Sequence, residues 1–226
     1  MEGTSDLTHG PDVTAAVAAG MRALLQRRRT ELAAGGRPVG WKVGLDGPAV
    51  QRHFGLSGPV VGYLTSSTVL EPGVAVSVGG WRHPALEVEV AVSVGNDGGV
   101  AGLAAALELV DLEPVDGLSG VLGRNVFHRG VVFGPEVGDP GRVDPAAVAV
   151  RVVTAPSGEV AAEGALAQRP EVTLDVVRRF LVAHGARLEA GDRVIAGSMI
   201  APLPVEGGQS FHVEFGVLGS IDISFV

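Results

Sequence analysis

The chain has 226 residues, 46% of them apolar, with a formal net charge of −8, enough length and apolar content for one sizeable core. The acidic balance, with no basic stripe beyond Arg27-Arg28-Arg29, argues against nucleic acid as a partner and leaves that triplet as a solvated helix face. With no cysteine there can be no disulfide, thiol nucleophile or thiolate metal site, so carboxylate and imidazole remain as metal ligands. In chain order, residues 1–10 read as a frayed polar tail without the regions of a signal peptide. From Asp12 to Ala34, Val13, Val17, Met21, Leu24 and Leu25 recur at helical spacing, and Gly35-Gly36 ends that helix. Val39 to Val94 reads as short strands and loops, with turns at Ser57-Gly-Pro59, Glu71-Pro-Gly73 and Gly79-Gly80. Thr173 is the expected N-cap of a helix carrying Leu174, Val177, Phe180 and Leu181, with Gly185 as its left-handed end. Ala190-Gly-Asp192 then turns the chain into a strand from Arg193 to Ala196. The tail is an expected hairpin, with Phe211, Val213 and Phe215 on one face, a Gly216-Val-Leu-Gly219 turn, and Ile221, Ile223 and Phe225 following. No apolar run reaches the ~18 residues of a membrane span, so no membrane partner and a cytoplasmic location are expected. The organisation expected is a tail at 1–10 and a single domain at 11–226, made of a helical annex at 11–38 and a strand-rich body at 39–226.

Chemistry concentrates in Leu86-Glu-Val-Glu-Val90. Strand side chains alternate faces, so Leu86, Val88, Val90 and Val92 face a core while Glu87 and Glu89 share the other face about 7 Å apart. Mg²⁺ or Mn²⁺, held by carboxylates at about 2.0–2.2 Å, would remove their repulsion. The same pattern also describes an ordinary half-solvated strand. Glu108, in Ala106-Leu-Glu-Leu-Val-Asp111, lies where periodicity is ambiguous between helix and strand, and reads equally as a surface carboxylate. Lys42 sits between Trp41 and Val43 in a chain whose cations are overwhelmingly arginine. Apolar surroundings shift a lysine's pKa readily, although a snorkelling surface lysine fits the local sequence as well. The six histidines show no zinc-type spacing and read mostly as surface residues.

Four segments in order, Gly40-Trp-Lys-Val-Gly-Leu45, Glu87-Val-Glu89, Ala106 to Asp111 and Gly197-Ser-Met-Ile-Ala-Pro-Leu-Pro-Val205, together resemble the 2-keto-4-pentenoate hydratase and 4-oxalocrotonate decarboxylase branch of the fumarylacetoacetate hydrolase superfamily. The resemblance runs from about Thr14 to the C-terminus. It implies an α+β fold, a mixed β-roll with peripheral helices, and commonly a homo-oligomer or a complex with a related lyase. It implies that Glu108 completes a three-carboxylate Mg²⁺ or Mn²⁺ site with Glu87 and Glu89, Asp111 being the nearest substitute. Lys42 is implied as the catalytic residue that anchors or protonates a 2-oxo or 2-hydroxy-dienoic acid, and Ser198 and Gly197 as binders of its carboxylate. The implied activity is a lyase working through a metal-stabilised enolate, by hydration or by decarboxylation.

Other outcomes stay open on the same scaffold. Hydrolytic members use a His-Glu pair on a short lid helix, and His53 falls in a matching segment, but no acid lies within four residues of it. A subunit that has lost turnover is the third reading. Where hydratases usually carry an acid before the Gly of their Gly-x-Leu segment, this chain has Val60-Val61-Gly62, and Ile200 stands where Thr is usual. The acids that commonly follow are Ser66 and Ser67, and the Leu-Gly-[Asn/His]-Pro loop reads Leu166-Ala-Gln-Arg-Pro170. Val60 and Ile200 remove polar partners, which predicts a substrate with a less polar distal portion.

Overall fold

The computed structural model describes residues 11–138, 143–144 and 147–226, so the tail expected at 1–10 lies outside the described residues. In chain order the elements are α1 (Pro11–Ala33), β1 (Pro38–Gly44), α2 (Pro48–Phe54), β2 (Val60–Thr65), β3 (Val69–Leu70), β4 (Ala75–Val76), β5 (Pro84–Val94) and β6 (Val100–Asp111). Then follow α3 (Gly117–Gly123), β7 (His128–Val137), β8 (Ala149–Ala155), β9 (Val160–Ala165), α4 (Pro170–Ala183), β10 (Arg193–Ile195), β11 (Leu203–Pro204), β12 (Ser210–Glu214) and β13 (Ser220–Phe225). No helix among the described residues is long and apolar enough to cross a membrane.

Chain connectivity forces the larger sheet to curl. Its order is β2-β1-β10-β5-β6-β7-β3, with β11 also paired to β5. Laid flat, those strands at ~4.8 Å spacing would separate β2 from β3 by about 29 Å, whereas the step from Thr65 to Val69 reaches at most about 14 Å. The two edges must therefore approach each other. The result is the expected α+β fold, a mixed β-roll with peripheral helices, completed by a second sheet of order β4-β13-β12-β8-β9.

Leu86, Val88, Val90 and Val92 are fully buried on one face of β5, in a core that also takes Val17, Met21 and Leu24 of α1 and Phe211, Val213, Phe215, Ile221, Ile223 and Phe225 of the C-terminal hairpin. The other face of the larger sheet carries a smaller cluster of Leu64, Ala91, Ala104, Ala106, Val131, Phe133 and Ile195. Both faces are thus covered, and the acids of β5 do not lie on a solvated face.

Three local expectations are corrected. The fourth helix starts at Pro170, whose fixed φ suits the first helical turn, and Thr173 is buried within that turn instead of capping it. Gly185 does take the left-handed conformation (φ 73). The short helix α2 falls in the stretch read as strands and loops. Arg27 and Arg29 are exposed, but Arg28 is only partly so, its guanidinium packed 4.8 Å over the Trp41 ring.

Candidate active site

β5 and β6 pair antiparallel with Glu87 opposite Glu108 and Glu89 opposite Ala106, so the strand register brings the third acid across to the first two. Small Ala106 leaves room beside Glu89. One oxygen from each of Glu87, Glu89 and Glu108 lies within 4.8 Å of the others. Glu89 and Glu108 are buried and Glu87 is partly open.

Burial, followed by the charge of Glu108, pushes the Glu87 carboxyl up to about 7. The same two causes, with Glu87 added, push Glu89 well above the ordinary range. Burial acts on Glu108 in the same sense, but Lys42 and His128 outweigh it and hold Glu108 below its ordinary value. Three carboxyl groups crowded in one pocket, two of them pushed up because their charges repel and lack water, are what a divalent cation would relieve.

Lys42, the only lysine in the chain, is buried with its Nζ on Glu108 Oε1 and donating to the Val126 carbonyl at 3.1 Å. Burial lowers its pKa, yet Glu108, Glu87 and Glu89 together reverse that and leave it raised. The three carboxylates thus favour its charged form. On the same carboxylate oxygen converges His128 Nδ1 at 2.7 Å, while His128 Nε2 meets Thr68 Oγ1 at 2.9 Å. Both partners take Oε1, and Glu108 Oε2 is buried with none. An orphaned carboxylate oxygen between two other carboxylates fits an oxygen-seeking ion, with the donor set of Mg²⁺ or Mn²⁺.

A strained turn builds this arrangement. Asn125, Val126 and Phe127 have φ of 55, 52 and 66, three consecutive non-glycine residues in the left-handed region, which costs of order 1–3 kcal/mol each. The turn is held by Asn125, whose side chain accepts from Tyr63 N–H at 2.8 Å and donates to Tyr63 C=O at 2.9 Å. It aims the Val126 carbonyl at Lys42 and delivers His128 to Glu108. Gly62 lies under it, since a Cβ there would be 2.8 Å from both Asn125 Oδ1 and Lys42 Cγ.

On the other side, Ala196 N–H donates to Val90 C=O and Met199 N–H to Val88 C=O, so Gly197-Ser198 arch over Glu89. Gly197 N–H donates to Glu89 Oε2 at 2.8 Å. Ser198 Oγ is buried and has no partner. Both border a cleft of about 350 Å³ whose wall includes Asp46, Gln51, Ser57 and Gln168.

Sequence reasoning named Lys42, Glu87, Glu89, Glu108, Gly197 and Ser198; the structure gathers Lys42 with the three carboxylates and sets Gly197, followed by Ser198, against Glu89. It missed His128, read as a surface residue, along with Asn125 and Asp46; nothing in the local pattern of Arg124-Asn-Val-Phe-His128 announces a left-handed turn. Asp111 is no ligand substitute, because it accepts the N–H groups of Arg82 and His83 and pairs with Arg129. His53 is exposed on α2, edge-on to Phe54, and it is Gln51 of that helix that reaches the cleft. Val60 is fully buried in the core and Ile200 packs against it; neither belongs to the cleft wall. The less polar substrate tail predicted from those two positions therefore loses its structural ground.

No family model matches the chain. It is 30% identical to a 4-oxalocrotonate decarboxylase of a Pseudomonas species, over 98% of this chain and 91% of that relative. It is 26% identical to a 2-hydroxyhexa-2,4-dienoate hydratase of Comamonas testosteroni, over 89% of this chain and 83% of the relative. Among solved structures it resembles 4-oxalocrotonate decarboxylase from Pseudomonas putida G7 complexed with magnesium and adipate, at a TM-score of 0.85 and 22% identity, covering 93% of this chain and 86% of that one.

Proposed function

Because the chain belongs to the hydratase and decarboxylase branch of the fumarylacetoacetate hydrolase superfamily, we propose that it is a divalent-metal-dependent lyase acting on 2-oxo or 2-hydroxy-dienoic carboxylic acids. The observation that carries this reading is the cluster of Glu87, Glu89 and Glu108 beside a cleft, with Glu108 Oε2 and Ser198 Oγ both buried and unpartnered. Those three carboxylates would hold Mg²⁺ or Mn²⁺, which supplies fixed positive charge against the negative charge that develops on the C2 oxygen of a 2-oxo acid.

The protein groups have separable tasks. Lys42 and His128 hold Glu108 by one oxygen and keep the other free. Lys42, raised and pinned, is a fixed cation that anchors the anionic end of the substrate electrostatically. Gly197 N–H keeps Glu89 in place, and Ser198 Oγ is free to donate to the substrate carboxylate. The arch leaves these groups preorganised, so no reorganisation is needed when charge develops. The same reading includes a homo-oligomer, and a lone monomer boundary in sedimentation at assay concentration would remove that part of it.

The test is a panel of 2-hydroxydienoates with Mg²⁺ and Mn²⁺, following loss of dienol absorbance and CO₂ release together. Turnover is expected only with metal. Calorimetry supplies the second arm: a Glu87→Gln/Glu89→Gln double variant should lose Mg²⁺ binding, and equal affinity in the two proteins would misplace the site.

A further inference from the structure

Asp46 is the one ionisable side chain among the described residues lining the cleft, and the fold takes trouble to put it there. At the end of β1 the chain makes a left-handed step at Leu45 (φ 53), a conformation that residues with side chains rarely adopt. Gln51 Nε2 of α2 donates to the Asp46 carbonyl at 3.1 Å and secures the turn. The carboxylate lies over Gly197: a Cβ on that glycine would fall 2.2 Å from Asp46 Oδ2. Gly197 is also the residue whose N–H fixes Glu89, so Asp46 stands beside the carboxylate cluster, across the arch, and next to Ser198.

Among the described residues no other group at the site is free to act as a base. Lys42 is charged and spent on Glu108 and the Val126 carbonyl, Glu87, Glu89 and Glu108 would be taken up by the ion, and His128 has both ring nitrogens occupied. Asp46 is exposed to the cleft, and partial desolvation of its carboxyl pushes it above the ordinary aspartate range, its own backbone N–H and Lys42 only partly opposing this.

We propose that Asp46 is the catalytic acid and base of this site, taking a proton from water and returning it to substrate carbon, so that the enzyme is a hydratase of 2-oxo-enoic acids with an uncharged distal end. This rests on the lyase reading above. In the step, the water oxygen bonds C4 of a 2-oxo-3-enoate while one water proton passes to Asp46. The C3=C4 pair moves to C2–C3 and the C2 carbonyl pair moves onto its oxygen. Asp46 then gives its proton to C3 as the carbonyl re-forms, so H and OH have added across C3=C4 and the carboxylate is restored. Decarboxylation requires no such proton abstraction from water. The rest of the wall offers Gln51, Ser57 and Gln168, neutral groups suited to an uncharged tail, and a second substrate carboxylate would meet Asp46 as a like charge.

The experiment compares wild type, Asp46→Asn and Asp46→Glu with Mg²⁺ on a 2-oxo-3-enoate and on its ω-carboxylate analogue. Asp46→Asn is expected to lower kcat for hydration by about 10²–10³-fold while Mg²⁺ affinity by calorimetry stays within about twofold, and Asp46→Glu to recover part of the rate. Wild type should favour the monocarboxylate by about tenfold or more in kcat/KM, as expected for one unfavourable charge contact. Undiminished hydration by Asp46→Asn, a tenfold loss of its Mg²⁺ affinity, or preference for the dicarboxylate with CO₂ release would each overturn the assignment while leaving the lyase reading standing. Absence of turnover by the wild type on every dienoate and enoate would overturn both.

Discussion

Lys42→Met separates the structural task of that lysine from its chemical one. The side chain is 1% exposed and its partner Glu108 is fully buried, and it also faces the charges of Glu87 and Glu89. Removing one member of a buried ion pair costs about 3–5 kcal/mol, because the remaining charge keeps its desolvation penalty. Methionine retains the length and volume of the stem, so little of that figure comes from a cavity. At about 2–4 °C per kcal/mol for a chain of this size, the metal-free variant should melt about 6–20 °C below wild type. Mg²⁺ should restore most of the difference, since the ion compensates the same three carboxylates, and its affinity should be kept or increased. Turnover should nonetheless fall by at least about 10²-fold, as expected when a fixed charge is lost from a preorganised site. Differential scanning fluorimetry in EDTA and in Mg²⁺, beside steady-state kinetics, reads all three. A variant that melts with wild type in EDTA, or that loses Mg²⁺ binding, would refute the assignment of Lys42 as counter-charge to the cluster.

The pH dependence of ion binding has a fixed sign: Glu87, at about 7, must lose its proton to coordinate, so Mg²⁺ affinity measured by calorimetry should rise between pH 6 and 8 by up to about tenfold per unit for each proton displaced; a flat profile would contradict it. His128→Asn removes the imidazole that holds Glu108 Oε1, and Mg²⁺ affinity should fall by about 10–100-fold, whereas unchanged affinity would make His128 a packing residue. Gly197→Ala forces a side chain into φ 98 and against Asp46 Oδ2. Urea unfolding should show a loss of about 1–3 kcal/mol, and wild-type stability would mean that the arch relaxes freely.

What was legible in the sequence followed from periodicity. The alternation from Leu86 to Val92 correctly put Glu87 and Glu89 on one face, and the hairpin pattern from Phe211 to Phe225 gave the last two strands. Glu108 was ambiguous because Ala101 to Ala106 suits helix and strand alike; its pairing with Glu87 is a tertiary fact. α3 was hidden by its own glycines, three in Gly117-Leu-Ser-Gly-Val-Leu-Gly123, which individually weaken a helix and are tolerated because Leu118, Val121 and Leu122 are buried. His128 and Asp46 were missed for a related reason. Each follows a left-handed, non-glycine step, at Phe127 and Leu45, and such steps have no signature in residue type because surrounding contacts impose them.

The three-residue strand β10 joins β1 by a parallel pairing and β5 by an antiparallel one, and Asp192, just before it, accepts the Trp41 indole N–H at 3.1 Å. During synthesis the strand bearing Lys42 and the strand bearing Glu87 and Glu89 both leave the ribosome long before the segment that must be slotted between them. A nascent chain stopped ahead of Arg193 therefore carries two exposed sheet edges and an unjoined pair of opposite charges. Assembly of the roll waits for a late insertion between elements remote in sequence, a topology that slows folding and leaves edges open to other chains in the interval.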